Sequence, residues 1–226
     1  MGSDDLFHKI KARANKLKKR EHNKKEPYPK FLIVCEDTVS GYYYLTKAVK
    51  HFRLSSANFC IVGLGQDPMS IVLEAEKRYN NEKSSHKPDF EQVFCVFDKD
   101  NHAKYYNAID KINAINRSLG EIVFKAITSV PCFEIWLILH FTYTTKLYSD
   151  NQSKSAANQV VADLIKIMDS YKKSSSDAFE QTIEHLPVAL NNANKLGSYC
   201  KKTSSESPST RMNELMEFIS KLNNNI

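Results

Sequence analysis

At 226 residues the chain is long enough to bury one good core with an appendage. Its hydrophobic content of 42% and charged content of 26% are those of an ordinary water-soluble globular protein. No apolar stretch approaches the roughly 20 residues of a membrane span, which argues against a membrane role, and the formal net charge of +6 points to a polyanionic partner.

The positive charge is crowded at the start of the chain. Between Lys9 and Lys30, Lys16, Lys18, Lys19, Arg20, Lys24 and Lys25, with further basic residues around them, face only Glu21 and Glu26 in opposition. Such an arm suits nucleic-acid binding through phosphate neutralisation and counterion release; a solubilising tail has the same composition. The arm holds no apolar run of the kind a secretory signal needs, so the expected location is cytoplasmic. Pro27 and Pro29 close the arm and disfavour helix there.

Phe31 to Cys35 then reads as a buried strand that stops on Glu36. A helix follows from Ser40 to about Phe52, with Tyr44, Leu45, Ala48, Val49 and Phe52 at helical spacing. Phe59 to Val62 is a second strand ending in Gly63-Leu64-Gly65. Asp67-Pro68 opens a helix running to about Tyr79, because Asp caps and Pro fits the first helical position. The polar stretch Asn80 to Asp89 is an exposed loop. Val93 to Phe97 is a third strand, ending on Asp98-Lys99-Asp100. A helix from about Ala103 to Leu119 stops at Gly120, and Glu121 to Ile127 is a fourth strand. This alternation predicts an α/β fold with a mainly parallel four-stranded sheet flanked by helices.

After Thr128 no further strand is evident. Phe133 to Phe141 reads as an apolar helix holding Trp136, and Ala156 to Met168 as another. Phe179 to Leu196 keeps helical spacing across Pro187, which should interrupt it. Ser207-Pro208 should start a last helix carrying Leu215, Phe218, Ile219 and Leu222. The predicted organisation is a basic arm over 1–30, an α/β core over 31–141 and a helical part over 142–226 packed on the core. Of five cysteines, Cys35, Cys60 and Cys95 lie inside apolar runs, and no C-x-x-C pair suggests zinc or redox chemistry.

The acids ending the first and third strands carry the functional reading. In parallel sheets the ligand crevice lies beyond the carboxyl ends of the strands. Glu36, Asp98 and Asp100 should therefore meet at one rim, where Mg²⁺ (or Mn²⁺) would relieve their repulsion and supply chemistry on phosphates. Asp98, Asp100 and His102 are two residues apart and share a face if the strand stays extended. An acid just past a strand can equally be a helix cap or turn former. Lys99 is a candidate phosphate contact. Glu134 stands among apolar residues, where a carboxylate needs a pair or a metal, and it joins the candidate catalytic acids.

These residues resemble a known family. A strand ending in Glu, followed later by a strand ending in Asp-x-Asp, is similar to the Toprim domain of topoisomerases, primases and nucleases. The chain resembles more closely the RloB-like family, a Toprim-related group of bacterial restriction and phage-defence loci. The matching stretches are Phe31 to Asp37, Ser40 to Tyr44, Gly63 to Pro68, Val93 to Asp100, Val130 to Phe141 and Pro208-Ser209-Thr210. The Pro131-Cys132-Phe133-Glu134-x-Trp136 block is the most specific of them. Two departures stand out: Asp37 replaces the usual Gly after the strand-one Glu, and Ser40-Gly41 stands where Thr-Glu is common.

The resemblance implies a metal-dependent nuclease, a phosphodiester hydrolase acting in anti-phage defence with a separate ATPase, as a monomer or homo-oligomer. The chain has no G-x-x-x-x-G-K-[ST] loop of its own. The rival reading is a non-catalytic subunit that binds nucleic acid or a protein partner. Strand breakage through a tyrosine nucleophile would need a further domain, for which the chain is too short.

Overall fold

Strand β1 (Lys30–Cys35) is buried from Phe31 to Cys35, as an interior strand of a parallel sheet must be. Successive side chains point to opposite faces. Phe31, Ile33 and Cys35 enter one apolar cluster, while Leu32 and Val34 enter another on the far side. The computed structural model that shows this describes residues 29–55, 59–84, 90–100, 102–174 and 176–223. The basic arm, with Lys16, Lys18, Lys19, Arg20, Lys24 and Lys25, lies outside the described residues.

The other elements follow in alternation: α1 (Ser40–His51), β2 (Phe59–Gly63), α2 (Pro68–Ser84), β3 (Phe90–Asp98), α3 (Tyr105–Leu119) and β4 (Phe124–Val130). Spatial order in the sheet is β2-β1-β3-β4-β5, with all pairs parallel except the last. From β1 the chain steps outward to β2, then returns past β1 to lay down β3 and β4. Because parallel crossovers are right-handed, this reversal puts the first and later connections on opposite faces. Accordingly α1 packs with the cluster of Ile33 and Phe94, and α2 and α3 pack with that of Val34 and Cys95. The reversal opens a crevice beyond the carboxyl ends of β1 and β3, the expected position of a ligand in such a sheet.

Asp67 opens α2 as expected, its carboxylate accepting from Met69 N–H at 3.2 Å and Ser70 Oγ at 2.7 Å. The helix then runs to Ser84, into the stretch expected as loop. β4 starts three residues later than the sequence suggests. Asn116 explains the delay: its amide oxygen takes the N–H of Val123 and of Phe124, and its amide nitrogen donates to Phe124 O at 2.8 Å. That side chain occupies the outer edge where a strand partner would sit.

The sheet has five strands where four are expected. The fifth, β5 (Ser209–Thr210), pairs antiparallel with Ser129 and Val130 at the end of β4. Two residues show no alternation, so nothing in the sequence marks them. The last helix accordingly starts at Met212 and not at Pro208.

Beyond β4 come α4 (Glu134–Leu139), α5 (Ala156–Ile167), α6 (Ala178–Thr182), a 3-10 turn (Ile183–His185), α7 (Leu186–Thr203) and α8 (Met212–Asn223). Pro187 lies in the first turn of α7, where its missing N–H costs nothing, and the spacing expected to continue from Phe179 breaks just before it. All six residues of α4 are buried. Its Trp136 joins Leu164 of α5, Phe179 of α6, Leu196 of α7 and Leu215 of α8 in the cluster on the β1 face already shared by α1. Burying side chains of this size stabilises by roughly 1.5–3 kcal/mol each. Among the described residues no helix is long and apolar enough to cross a membrane.

Candidate active site

The turn after β1 is placed by backbone bonds on both sides. Glu36 N–H donates to Val96 O at 2.8 Å, extending the β1–β3 ladder by one residue. On the β2 side, Leu64 N–H donates to Cys35 O at 3.1 Å and Gly65 N–H to Glu36 O at 2.6 Å. Gly65 adopts φ +64°, a left-handed backbone that favours glycine.

The Glu36 carboxylate then bridges the two strands. Its Oε2 accepts the Asp98 N–H at 2.9 Å, and its Oε1 stands 2.7 Å from His102 Nε2. Asp98 is the last residue of β3, and its Oδ2 accepts the Phe133 N–H at 3.0 Å. Asp100 turns into left-handed backbone with φ 27°, its N–H donating to Pro131 O at 2.9 Å. The strand therefore does not stay extended through Asp-x-Asp, and Asp100 sits exposed at the mouth while Asp98 lies deeper. Asp37 acts as a local cap: its two oxygens accept the N–H groups of Val39 and Gly41 at the start of α1.

Glu134 enters from α4 and is 1% exposed. Its Oε1 accepts from Tyr171 Oη at 2.9 Å, while its buried Oε2 has no hydrogen-bond partner among the described residues. Lys173 faces the same space, and its carbonyl accepts from Ser40 Oγ at 2.8 Å. Tyr171, Lys173 and Ser40 were not anticipated. The first two lie in a polar connection between α5 and α6 that has no periodicity to read.

Glu36, Asp37, Asp98, Asp100, His102, Glu134 and Lys173 line one cavity of about 130 Å³, with Tyr171 and Ser40 behind them as hydrogen-bond partners. At roughly 30 Å³ per water it holds about four waters, too little for an organic ligand of ordinary size but enough for a hydrated ion. Glu36, Asp37, Asp98, Asp100 and Glu134 border it, with Lys173 and the imidazole of His102 facing them. The crowding has electrostatic consequences. Burial, with Glu134 and Glu36 close by, holds the Asp98 carboxyl well above the ordinary carboxylate range. Burial also raises Glu36, opposed by the Asp98 N–H and by His102. Glu134 raises Lys173, and burial followed by Glu134 and Asp98 pushes the Cys132 thiol up.

This donor set fits a hard divalent cation by charge and by chemistry, carboxylate oxygens being its preferred ligands. As the side chains stand, no group of three or more His, Cys, Asp or Glu among the described residues is close enough to hold an ion. Binding would therefore require these side chains to rearrange. Lys99, expected to offset charge or touch phosphate, turns elsewhere: its Nζ is held by Glu206 at 2.5 Å and by Tyr106 Oη at 2.6 Å. His140 is a buried structural group, bonded to Trp136 O and Tyr44 Oη.

A family model described as RloB-like protein matches residues 31–219, a span that contains every residue of the cavity. No curated protein and no solved structure matches the chain.

Proposed function

The chain belongs to the RloB-like family, and from that premise we propose that it is a metal-dependent phosphodiester hydrolase of Toprim type acting on nucleic acid. The observation that carries this reading is the excess of carboxylate around one small cavity, with Glu134 Oε2 buried and unpartnered. The placement of Glu36 and Asp98 at the ends of adjacent parallel strands supports the Toprim comparison.

Glu36, Asp98 and Asp100 would hold Mg²⁺ or Mn²⁺, with Glu134 close behind. Such an ion lowers the pKa of bound water and stabilises charge on a phosphoryl oxygen. Lys173, kept protonated by Glu134, would hold a second phosphate oxygen. His102, at the mouth and paired to Glu36, is placed to take or return a proton there. In the cell we assign it to anti-phage defence, with ATP hydrolysis left to a separate partner.

A second reading has one observation in its favour. Both oxygens of Glu36 are already engaged, one by the Asp98 N–H and one by His102. If that arrangement is permanent, the protein is a non-catalytic subunit binding nucleic acid or a partner. Incubation with labelled DNA and with total RNA, in Mg²⁺, in Mn²⁺ and in chelator, separates the two. The hydrolase reading expects metal-dependent cleavage that Asp98→Asn abolishes. It also expects Mg²⁺ to raise the melting temperature of the wild type and not of the variant, since a ligand that binds only the folded state stabilises it. A wild type that neither gains stability from metal nor cleaves with its partner present rejects it.

A further inference from the structure

Away from the acidic cavity, a second groove runs along α7. Its lining is all exposed and contains no acid: Tyr143 from the connection after α4, with Asn191, Lys195, Ser198, Tyr199 and Lys202 from the helix, are the groups that matter. The helix residues recur at three- and four-residue spacing and so share one face. At 1.5 Å rise per residue, Asn191 to Lys202 makes a strip about 16 Å long.

Two features of this strip bear on what it could bind. Tyr143 is 43% and Tyr199 36% exposed, and neither ring contacts another aromatic ring among the described residues. Lys195 and Lys202 form no ion pair among the described residues, so both ammonium groups of the strip are open to an anion. Glu217, which accepts from the groove's Asn194 at 3.3 Å, is also paired with Lys221 at 3.2 Å.

We propose that this groove binds single-stranded nucleic acid, with bases stacked on Tyr143 and Tyr199 and phosphates on Lys195 and Lys202. Free aromatic faces alternating with free cations are what an unpaired strand requires. A duplex offers its phosphates but not its base faces, and an acidic peptide would leave the rings unused. The groove is fixed to the frame of the cavity. Asn192, next to Asn191 on the buried side of α7, donates to Leu139 O at 2.9 Å, and Leu139 ends the helix that Glu134 begins. The inference deepens the nucleic-acid reading above by naming the form of the substrate.

The test is fluorescence anisotropy in chelator, with labelled oligothymidylate and oligouridylate of about 16 nucleotides. Tyr143→Ala and Tyr199→Ala are each expected to raise Kd at least about fivefold. The double variant Lys195→Ala/Lys202→Ala should flatten the slope of log K against log salt by roughly 1.4, since each neutralised phosphate of a single strand contributes about 0.7. Tight binding of either oligonucleotide that falls in the tyrosine and lysine variants meets the proposal, and the tighter of the two tells RNA from DNA. Unchanged affinity in a folded Tyr143→Ala/Tyr199→Ala variant overturns it. So does equal competition by a duplex or by polyglutamate. Groove binding by a protein that never cleaves would uphold this site while rejecting the hydrolase.

Discussion

A methyl group on Gly63 would lie 2.8 Å from the Asp37 carbonyl oxygen and 3.0 Å from Thr38 Cα. Both are backbone atoms of the turn that carries Glu36, so neither can swing aside as a side chain could. Gly63→Ala is therefore expected to cost about 1–3 kcal/mol, as overpacking does, read from urea unfolding. It should also weaken metal-dependent cleavage by moving Glu36. Asp98 behaves oppositely. Its carboxylate is crowded by Glu134 and Glu36, and Asn can still accept the Phe133 N–H at the same position. Asp98→Asn should keep or raise the melting temperature in the absence of metal while abolishing cleavage. A variant that unfolds would mean that the charge is needed for structure. At this scale the sequence located Glu36 and Asp98 correctly at strand ends, with Asp100 just beyond. It missed Tyr171 and Lys173, because no local pattern ties residues of an irregular connection to a site formed by other elements.

Helix α4 shows how packing governs an element. A six-residue helix is far below the roughly 12–15 residues at which an isolated helix becomes marginal in water. It persists because its entire surface is covered. Its C-terminal neighbour His140 is 1% exposed. Its Nδ1 faces the Trp136 carbonyl at 2.9 Å, which can only accept, so Nδ1 carries the proton and Nε2 accepts from Tyr44 Oη at 3.2 Å. Burial pushes His140 down to about 4. The folded state thus disfavours the proton that the unfolded chain takes up near its ordinary value of about 6.5. Its contribution is complete above about pH 6.5 and is lost as pH falls toward 4, because the unfolded state binds more protons across that window. Stability should fall on the order of 2 kcal/mol between about pH 7 and about pH 5 from this group. In His140→Asn the loss of the Tyr44 bond should lower stability at neutral pH, but the decline toward acid should be shallower. Urea midpoints at the two pH values measure both effects; equal slopes would remove His140 from the account.

For the molecule as a whole, we propose separate tasks for two charged regions: an acidic cavity at the sheet reversal and positive segments that would hold a polyanion. The arm before residue 29 is read from sequence alone. Deleting residues 1–25 should leave the melting temperature unchanged, since the segment has no apolar run to contribute to the core. It should weaken nucleic-acid affinity and flatten its salt dependence, by about 0.7–0.9 in slope for each phosphate the arm neutralises. An identical slope with and without the arm would assign it to a protein partner or to solubility. The arm and the α7 groove can be tested independently, and their effects on log K should add if both touch one strand.

The α/β class, a mainly parallel sheet and the acids at the ends of β1 and β3 follow from local patterns: short apolar runs bounded by carboxylates, alternating with helical spacing. Such patterns are visible in sequence because burial on two faces demands consecutive apolar residues, and an acid at a strand end is conspicuous against them. The rest came from interactions between segments far apart in the chain. β5 has only two residues, and the start of β4 is set by the side chain of Asn116. Glu134 could be recognised as out of place in its helix, but its partner Tyr171 is 37 residues away. Lys99 sits between the candidate acids in sequence, yet is drawn off by Glu206, 107 residues on. Periodicity reports which face a residue occupies. Only the packed fold decides which distant group it meets there, because that depends on how every intervening element is stacked.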